Sequence, residues 1–142
     1  MKHPKRVGDE STLAIMFALQ LQGYPILVPF GENTRYDLAI DVGGHLRRVQ
    51  CKTGRYRNGA VWFATCSSYA HHSNPKSIRR DYIGEIDDFA VFCPMLGSVY
   101  LIPIEDVSAR KEACLRVTEP RNGQRKYVRL AAQYELMRLD VH

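Results

Sequence analysis

The chain has 142 residues, of which 45% are hydrophobic and 25% charged, a composition typical of a folded globular domain and not of a disordered chain. Its net charge of +5 favours anionic partners, nucleic acid first and an anionic membrane surface second. No apolar run reaches the roughly 18 residues of a membrane span, and the basic start is not followed by the apolar segment of a signal peptide. We therefore expect a single cytoplasmic domain over residues 1–142.

The first predicted element is a helix that begins at about Glu10, with Asp9 as its cap, and continues as an apolar run over residues 11–21. Three large side chains recur in it at helical spacing: Leu13, Phe17 and Leu21. Glu10 precedes Leu13 by three residues, so we expect it to continue this stripe on the inward face. A carboxylate there is costly unless it is paired or binds a metal.

A β-hairpin follows a short strand at 26–28. We predict strands over 36–42 and 45–53, joined by the turn signal Gly43-Gly44. Because Gln50 and Lys52 are two residues apart, their side chains share one face of the second strand. Counting back from the turn brings Asp37 to the same end of the hairpin, provided that the register is symmetric.

The elements downstream of the hairpin are expected to be short. Residues 54–58 are expected to form a loop, 60–66 a strand and 67–80 an irregular loop with at most one helical turn. Short buried strands are expected at 89–92 and 99–104, and short helices at 105–113 and 130–139. From about residue 110 the chain is expected to form a basic C-terminal extension of the domain. The order of elements predicts an α/β fold with a mixed central β-sheet flanked by helices.

The cysteines offer no structural zinc site because they are widely spaced and form no CxxC pair: Cys51, Cys66, Cys93 and Cys114. We expect buried free thiols. His71 and His72 are adjacent, and neighbouring loop residues rarely bind one metal together, so zinc is not favoured there either.

The hairpin instead offers oxygen ligands of the kind that Mg²⁺ prefers. Asp37 can supply a carboxylate, Gln50 an amide oxygen and Cys51 its carbonyl oxygen, with Glu10 as a further acid. Lys52 can orient an attacking water or stabilise charge on a phosphate. Taken singly, each residue also has a structural explanation: Glu10 as a first-turn acid, Asp37 and Lys52 as a cross-strand pair, and Gln50 as solvated polar filling.

This arrangement resembles the PD-(D/E)XK nuclease superfamily, which carries an acid on a helix, an Asp on a strand and acid-x-Lys on the next strand. Here the motif reads Arg35-Tyr36-Asp37, then Val49-Gln50-Cys51-Lys52, without the usual proline before Asp37 and with Gln50 in the second acid position. One branch with Gln at that position includes a group I intron-encoded homing endonuclease. The resemblance to that branch extends over roughly residues 7–105, through Gly54-Arg55-Tyr56-Arg57, Asp81-Tyr82, Asp87 and Cys93-Pro94.

The resemblance implies a restriction-endonuclease-like core and Mg²⁺-dependent cleavage of double-stranded DNA, with Mn²⁺ as a substitute. It implies Glu10, Asp37, Gln50 and Lys52 as the catalytic set, site-specific cutting of the homing type, and a homo-oligomer, either a dimer or a tetramer. Two alternatives remain: a junction-resolving, repair or restriction nuclease of the same fold, and a catalytically silent DNA-binding module, which the neutral Gln50 keeps open.

A DNA-binding surface is predicted from charge. No Asp or Glu occurs between Val42 and Arg80, and this stretch holds eight Lys or Arg residues. We expect DNA contacts from Arg55, Tyr56, Arg57, Asn74, Lys76, Arg79 and Arg80. Arg47 and Arg110 are expected to be solvated surface charges.

Overall fold

The computed structural model describes residues 2–31, 33–71, 74–107, 111–118 and 129–139, with the backbone alone described over 67–71 and 74–81. The first element is α-helix α1, Pro4–Leu21, which begins six residues earlier than predicted. Pro4 suits the first helical turn because its missing N–H would be unbonded there, and the His3 side chain accepts a hydrogen bond from the Lys5 N–H. Asp9 is therefore an interior helical residue and not the cap.

A six-stranded mixed sheet forms the centre of the molecule. Its strands are β1 Ile26–Leu27, β2 Leu38–Val42, β3 His45–Thr53, β8 Asp88–Cys93, β9 Ser98–Pro103 and β11 Glu135–Arg138, in the order β1-β2-β3-β8-β9-β11. The pairing of β3 with β8 is parallel and the other pairings are antiparallel. Both glycines of the β2–β3 turn have positive φ, as a tight two-residue hairpin requires.

Two smaller antiparallel units complete the strands. A three-stranded sheet has the order β10-β5-β4, with β4 at Arg55–Arg57, β5 at Ala60–Ala64 and β10 at Glu112–Arg116. A separate hairpin joins β6, Cys66–His71, to β7, Asn74–Asp81. The described residues after 110 thus include β10 and β11, one in each of the two larger sheets.

The central sheet is covered on both faces. On one face, α1 packs against buried side chains of the sheet, including Leu38, Ile40 and Val49. On the other face, the small sheet and the segment before β8 cover a second apolar cluster built around Phe63, Phe89 and Tyr100. Because Val49 and Cys51 belong to the α1 side, Gln50 and Lys52 face the second side, as the alternation of strand side chains predicts.

The inward face of α1 differs from the predicted one. Ser11, Ile15, Ala18 and Leu19 are buried, whereas three large apolar side chains stay exposed: Leu13 at 67%, Phe17 at 51% and Leu21 at 61%. The helix carries apolar residues on two stripes, so periodicity alone did not decide which one is buried.

Four other element predictions are wrong. Residues 54–58 contain strand β4, and the β6–β7 hairpin replaces the predicted irregular loop at 67–80. The predicted helix at 105–113 is a single 3₁₀ turn, Ile104–Asp106, followed by β10, with 108–110 outside the described residues. The predicted helix at 130–139 is a 3₁₀ turn, Ala131–Gln133, followed by β11. Leu136 and Met137 pack against the α1 side of the core there, so tertiary packing overrides local helical preference.

Among the described residues, no helix has the length and apolar character needed to cross a membrane. The four cysteines are free thiols, as expected, but Cys93 alone among them is buried, and Cys51, Cys66 and Cys114 are partly exposed.

Candidate active site at the end of the β2–β3 hairpin

The register of β2 and β3 brings the predicted motif together. Val42 pairs with His45 and Leu38 with Val49, so the register is symmetric about the turn. When this pairing is continued by one residue beyond Leu38 and Val49, Asp37 lies opposite Gln50. The convergence that the sequence predicted for this end of the hairpin is therefore confirmed in the backbone.

Asp37 is fixed to β3 by two hydrogen bonds. Its main-chain N–H donates to the Val49 carbonyl oxygen at 2.9 Å, and its Oδ2 accepts from the Cys51 N–H at 2.8 Å. Desolvation by the surrounding protein raises the pKa of Asp37, although the Cys51 hydrogen bond and the Lys52 charge act in the opposite direction. The carboxylate is thus held in one place and keeps solvent access on its open side.

Lys52 lies on the same strand face as Gln50, and both are half-buried. The Lys52 ammonium donates to the Tyr82 hydroxyl at 3.2 Å and lies 4.9 Å from the centre of that ring. Its charge opposes the rise in the pKa of Asp37 that burial causes. Tyr82 is part of the sequence resemblance, but the sequence did not predict a role for it at the site.

Cys51 contributes through its main chain. Burial raises the pKa of its thiol, and the residue packs on the α1 side of the sheet. The thiol therefore points away from Gln50 and Lys52 and stays protonated at neutral pH. The carbonyl oxygen is the donor that Cys51 can offer to a metal.

Glu10 has different partners from those expected. Its carboxylate pairs with the Lys2 ammonium at 2.8 Å and with Arg6 Nε at 3.1 Å, and these cations lower the pKa of Glu10. It does not lie on the buried stripe of α1. The neighbouring residue Ser11 is the one that reaches β3, where its hydroxyl shares a 2.6 Å hydrogen bond with the Thr53 hydroxyl.

The donor set suits a hard cation of the magnesium type, since it consists of a carboxylate, an amide oxygen and a carbonyl oxygen. Within the described part of the chain, no three His, Cys, Asp or Glu side chains converge to form a complete protein cage. This is compatible with Mg²⁺, which usually keeps several waters and binds through one or two carboxylates together with substrate phosphate.

The predicted DNA-contacting residues lie on two strands, β4 and β7. Arg55 and Arg57 alternate with Tyr56 along β4, so the arginines face outward while Tyr56 is half-buried against the core. Arg55 forms an ion pair with Glu112, and Arg57 lies over the Trp62 ring at 5.0 Å. The remaining predicted contacts belong to β7, where the backbone alone is described: Asn74, Lys76, Arg79 and Arg80.

Arg47 is not the solvated charge that the sequence suggested. It binds the carboxylate of Asp88 through two hydrogen bonds, Nε to Oδ2 at 2.7 Å and Nη2 to Oδ1 at 3.0 Å. Asp88 is only 2% exposed and begins the strand that pairs in parallel with β3. The pair therefore anchors β8 beside the motif strand. Arg110 and His72 lie outside the described residues.

A helix packed on a mixed sheet, with an acid just before one hairpin strand and Gln-x-Lys on the next, is the arrangement that the sequence resemblance predicted for a restriction-endonuclease-like core. The chain belongs to the PD-(D/E)XK endonuclease family, whose sequence profile matches residues 2–137. This confirms the predicted family, and the helix packed on a mixed sheet confirms the predicted α/β core.

The chain is also similar to a solved structure, that of the bacterial homing endonuclease I-Ssp6803I. The TM-score is 0.73 and the sequence identity 29%, over 94% of this chain and 89% of that chain. A search of the curated proteins finds no match to this chain.

Proposed function

We propose that this endonuclease hydrolyses double-stranded DNA at a specific site in a metal-dependent reaction, and that residues 1–142 act as one nuclease domain. The observation that carries the proposal is the fixed Asp37 carboxylate beside the Gln50 and Lys52 face of β3. The similarity to a homing endonuclease supports the homing-type specificity.

Asp37 and Gln50 would hold Mg²⁺ or Mn²⁺, together with the Cys51 carbonyl oxygen, and Glu10 would join them by leaving Lys2 and Arg6. When bound, the ion supplies Lewis-acid stabilisation of the phosphate and a more acidic water. Asp37 is suited to this role because the Cys51 N–H already orients it. Lys52 supplies a fixed positive charge where negative charge develops on the scissile phosphate.

The DNA surface would combine the exposed arginines of β4 with the β6–β7 hairpin. Arg55 and Arg57 follow the motif strand directly, so they are suited to phosphates beside the cut. A two-stranded ribbon fits the major groove, where arginine reads guanine and asparagine reads adenine. The residues proposed for that reading are Asn74, Lys76, Arg79 and Arg80.

A homo-oligomer, a dimer or a tetramer, would supply a second active site for the second DNA strand. The exposed apolar stripe of α1 supports this, because Leu13, Phe17 and Leu21 give a copy of the chain a surface to cover.

A plasmid assay tests the proposal. Supercoiled DNA that contains the target site should be nicked and linearised by the wild type with Mg²⁺ or Mn²⁺. Lys52→Ala should cut at least about a hundredfold more slowly, because it removes charge stabilisation in the transition state. Lys5→Ala removes an exposed α1 lysine and is the matched control, which should cut normally. Salt-dependent DNA retention without any cutting, in every metal and on branched DNA as well, would favour the silent binding module instead.

A further inference from the structure

Tyr82 lies directly against the proposed catalytic lysine although thirty residues separate them in sequence. Tyr82 is 4% exposed, and its hydroxyl accepts a hydrogen bond from the Lys52 ammonium at 3.2 Å. The same ammonium is 4.9 Å from the ring centre, within the range of a cation–π contact. One buried side chain therefore contacts the cation through both its hydroxyl and its ring.

The Tyr82 ring is itself held from two directions. It meets Phe89 edge-on, with ring centres 5.7 Å apart and an interplanar angle of 88°. The Arg35 guanidinium lies 4.1 Å from the ring centre, and Arg35 Nε pairs with a Glu85 oxygen at 3.3 Å. Aromatic packing and a second cation thus restrict the motion of the ring, so its hydroxyl is presented in a constant position.

A lysine needs such support more than the other motif residues do. Its ammonium sits at the end of a flexible four-carbon stem, whereas Asp37 is short and already tied to the Cys51 N–H. A charge that stabilises a transition state acts best when it is oriented before the reaction. The hydrogen bond that the Lys52 ammonium donates to a rigid acceptor, the Tyr82 hydroxyl, provides that orientation.

We propose that Tyr82 is a positioning residue for Lys52 that orients the ammonium through its hydroxyl, with Arg35 and Glu85 holding the ring. The proposal rests on the proposed role of Lys52 in DNA cleavage. A purely structural Tyr82 would contribute through ring packing alone, so removal of the hydroxyl separates the two roles.

Tyr82→Phe keeps the ring and deletes the hydroxyl, and Tyr100→Phe is its matched control. Tyr100 is 1% exposed and belongs to the same apolar cluster, but it lies outside the candidate site. Under single-turnover conditions with Mg²⁺, Tyr82→Phe should cut about tenfold or more slowly than Tyr100→Phe. DNA affinity should match between the two variants, and both should be fully folded at the assay temperature, where their circular-dichroism spectra should match that of the wild type. Equal cleavage rates, or a loss that follows Tm, would overturn the proposal.

A second measurement does not depend on cleavage. In protein labelled with ¹³C at the lysine ε-carbon, the Lys52 signal is assigned by its absence from Lys52→Arg. Tyr82→Phe should shift this signal and raise its mobility, whereas Tyr100→Phe should leave it unchanged. An unchanged Lys52 signal in Tyr82→Phe overturns the positioning role. An oriented Lys52 in a wild type that cuts no DNA would instead refute the proposed function alone.

Discussion

The Asp37 carboxylate accepts a hydrogen bond from the Cys51 main-chain N–H at 2.8 Å, so a residue just before β2 is fixed to the strand that carries Gln50 and Lys52. The contact uses main chain at Cys51, which makes it independent of the side chain at that position. It also accounts for the orientation of Asp37 toward the motif strand. The position of this carboxylate is therefore set by the main chain of β3.

Asp37→Asn should abolish cleavage and leave the apo protein at least as stable as the wild type at neutral pH. The pKa of Asp37 is higher in the folded chain than in the unfolded chain. At pH values between these two pKa values, the folded chain therefore binds more protons than the unfolded chain. Ionisation of Asp37 therefore lowers the stability of the wild type as pH rises. The uncharged side-chain amide of the Asp37→Asn variant avoids this loss, and its oxygen still accepts the Cys51 hydrogen bond. Thermal unfolding at pH 5 and pH 8, beside plasmid cleavage, checks both parts.

The control for Asp37→Asn is Asp41→Asn. Asp41 Oδ1 accepts a hydrogen bond from the Gly44 N–H in the turn of the same hairpin, away from the site. This variant should cut DNA normally. Loss of cutting in both variants would show that the effect is not specific to Asp37, and the metal-ligand role of Asp37 would fail.

Gln50→Glu should strengthen metal binding, because it restores a carboxylate beside Asp37. Two nearby carboxylates repel each other when no cation is bound, so the apo variant should melt at a lower temperature than the wild type. Mg²⁺ or Mn²⁺ should then raise its Tm more than it raises that of the wild type. Gln20→Glu adds the same charge on exposed α1 and should show no added response. A Gln50→Glu variant that binds no metal would argue against position 50 as a ligand.

The hairpin was predictable from sequence because its signals are local. The Gly43-Gly44 turn and the alternation of side chains decide the register, and β3 runs from His45 to Thr53 as predicted. The contact between Lys52 and Tyr82 has no such local signal. It depends on how the segment before β8 packs against the sheet, which joins residues far apart in the chain.

Two of the wrong predictions, the helix at 130–139 and the solvated Arg47, share a physical cause. The segment after Leu130 has a weak helical pattern, yet β9 offers an open edge with which β11 pairs through main-chain hydrogen bonds. Arg47 looked like a surface charge because its partner, Asp88, is forty-one residues away. Edges and charge partners of this kind are properties of the folded sheet and not of any short window of sequence.

Arg47→Ala should destabilise the fold by about 3 kcal/mol at neutral pH, because it leaves the buried Asp88 carboxylate without its cation. Burial already raises the pKa of Asp88, and without Arg47 the carboxyl should hold its proton to still higher pH. A folded state that binds more protons loses stability as pH rises, so the loss should be larger at pH 8 than at pH 5. Urea unfolding at the two pH values measures it.

Arg138→Ala is the control for Arg47→Ala. It breaks an exposed pair with Glu135 and should cost only about 0.5 kcal/mol, with little dependence on pH. Similar losses in the two variants would mean that the burial of Asp88 has no energetic consequence.

Phe17→Glu should reduce the molar mass in solution to that of a smaller assembly, provided that the α1 stripe is the oligomer interface. Because Phe17 is 51% exposed in the single chain, the substitution should leave monomer stability nearly unchanged. Light scattering coupled to size exclusion measures the mass, and Lys5→Ala, which changes the net charge by the same amount on another face of α1, is the control. The same mass for both variants would place the interface elsewhere.

Gly54→Ala should destabilise the protein by about 1–3 kcal/mol, because an added Cβ would lie 2.6 Å from Val61 Cγ1 and 2.8 Å from Val91 Cγ1. Both valines are fully buried and stiff at χ1, so neither can move aside cheaply. Gly8→Ala is the opposite case, since nothing lies within 4 Å of its added Cβ in α1, and it should stabilise by roughly 0.5–1 kcal/mol. Chemical unfolding of both variants checks the contrast. A neutral Gly54→Ala would mean that the chain can shift where it passes from Thr53 into β4, and the position of Lys52 would then be less constrained than its packing implies.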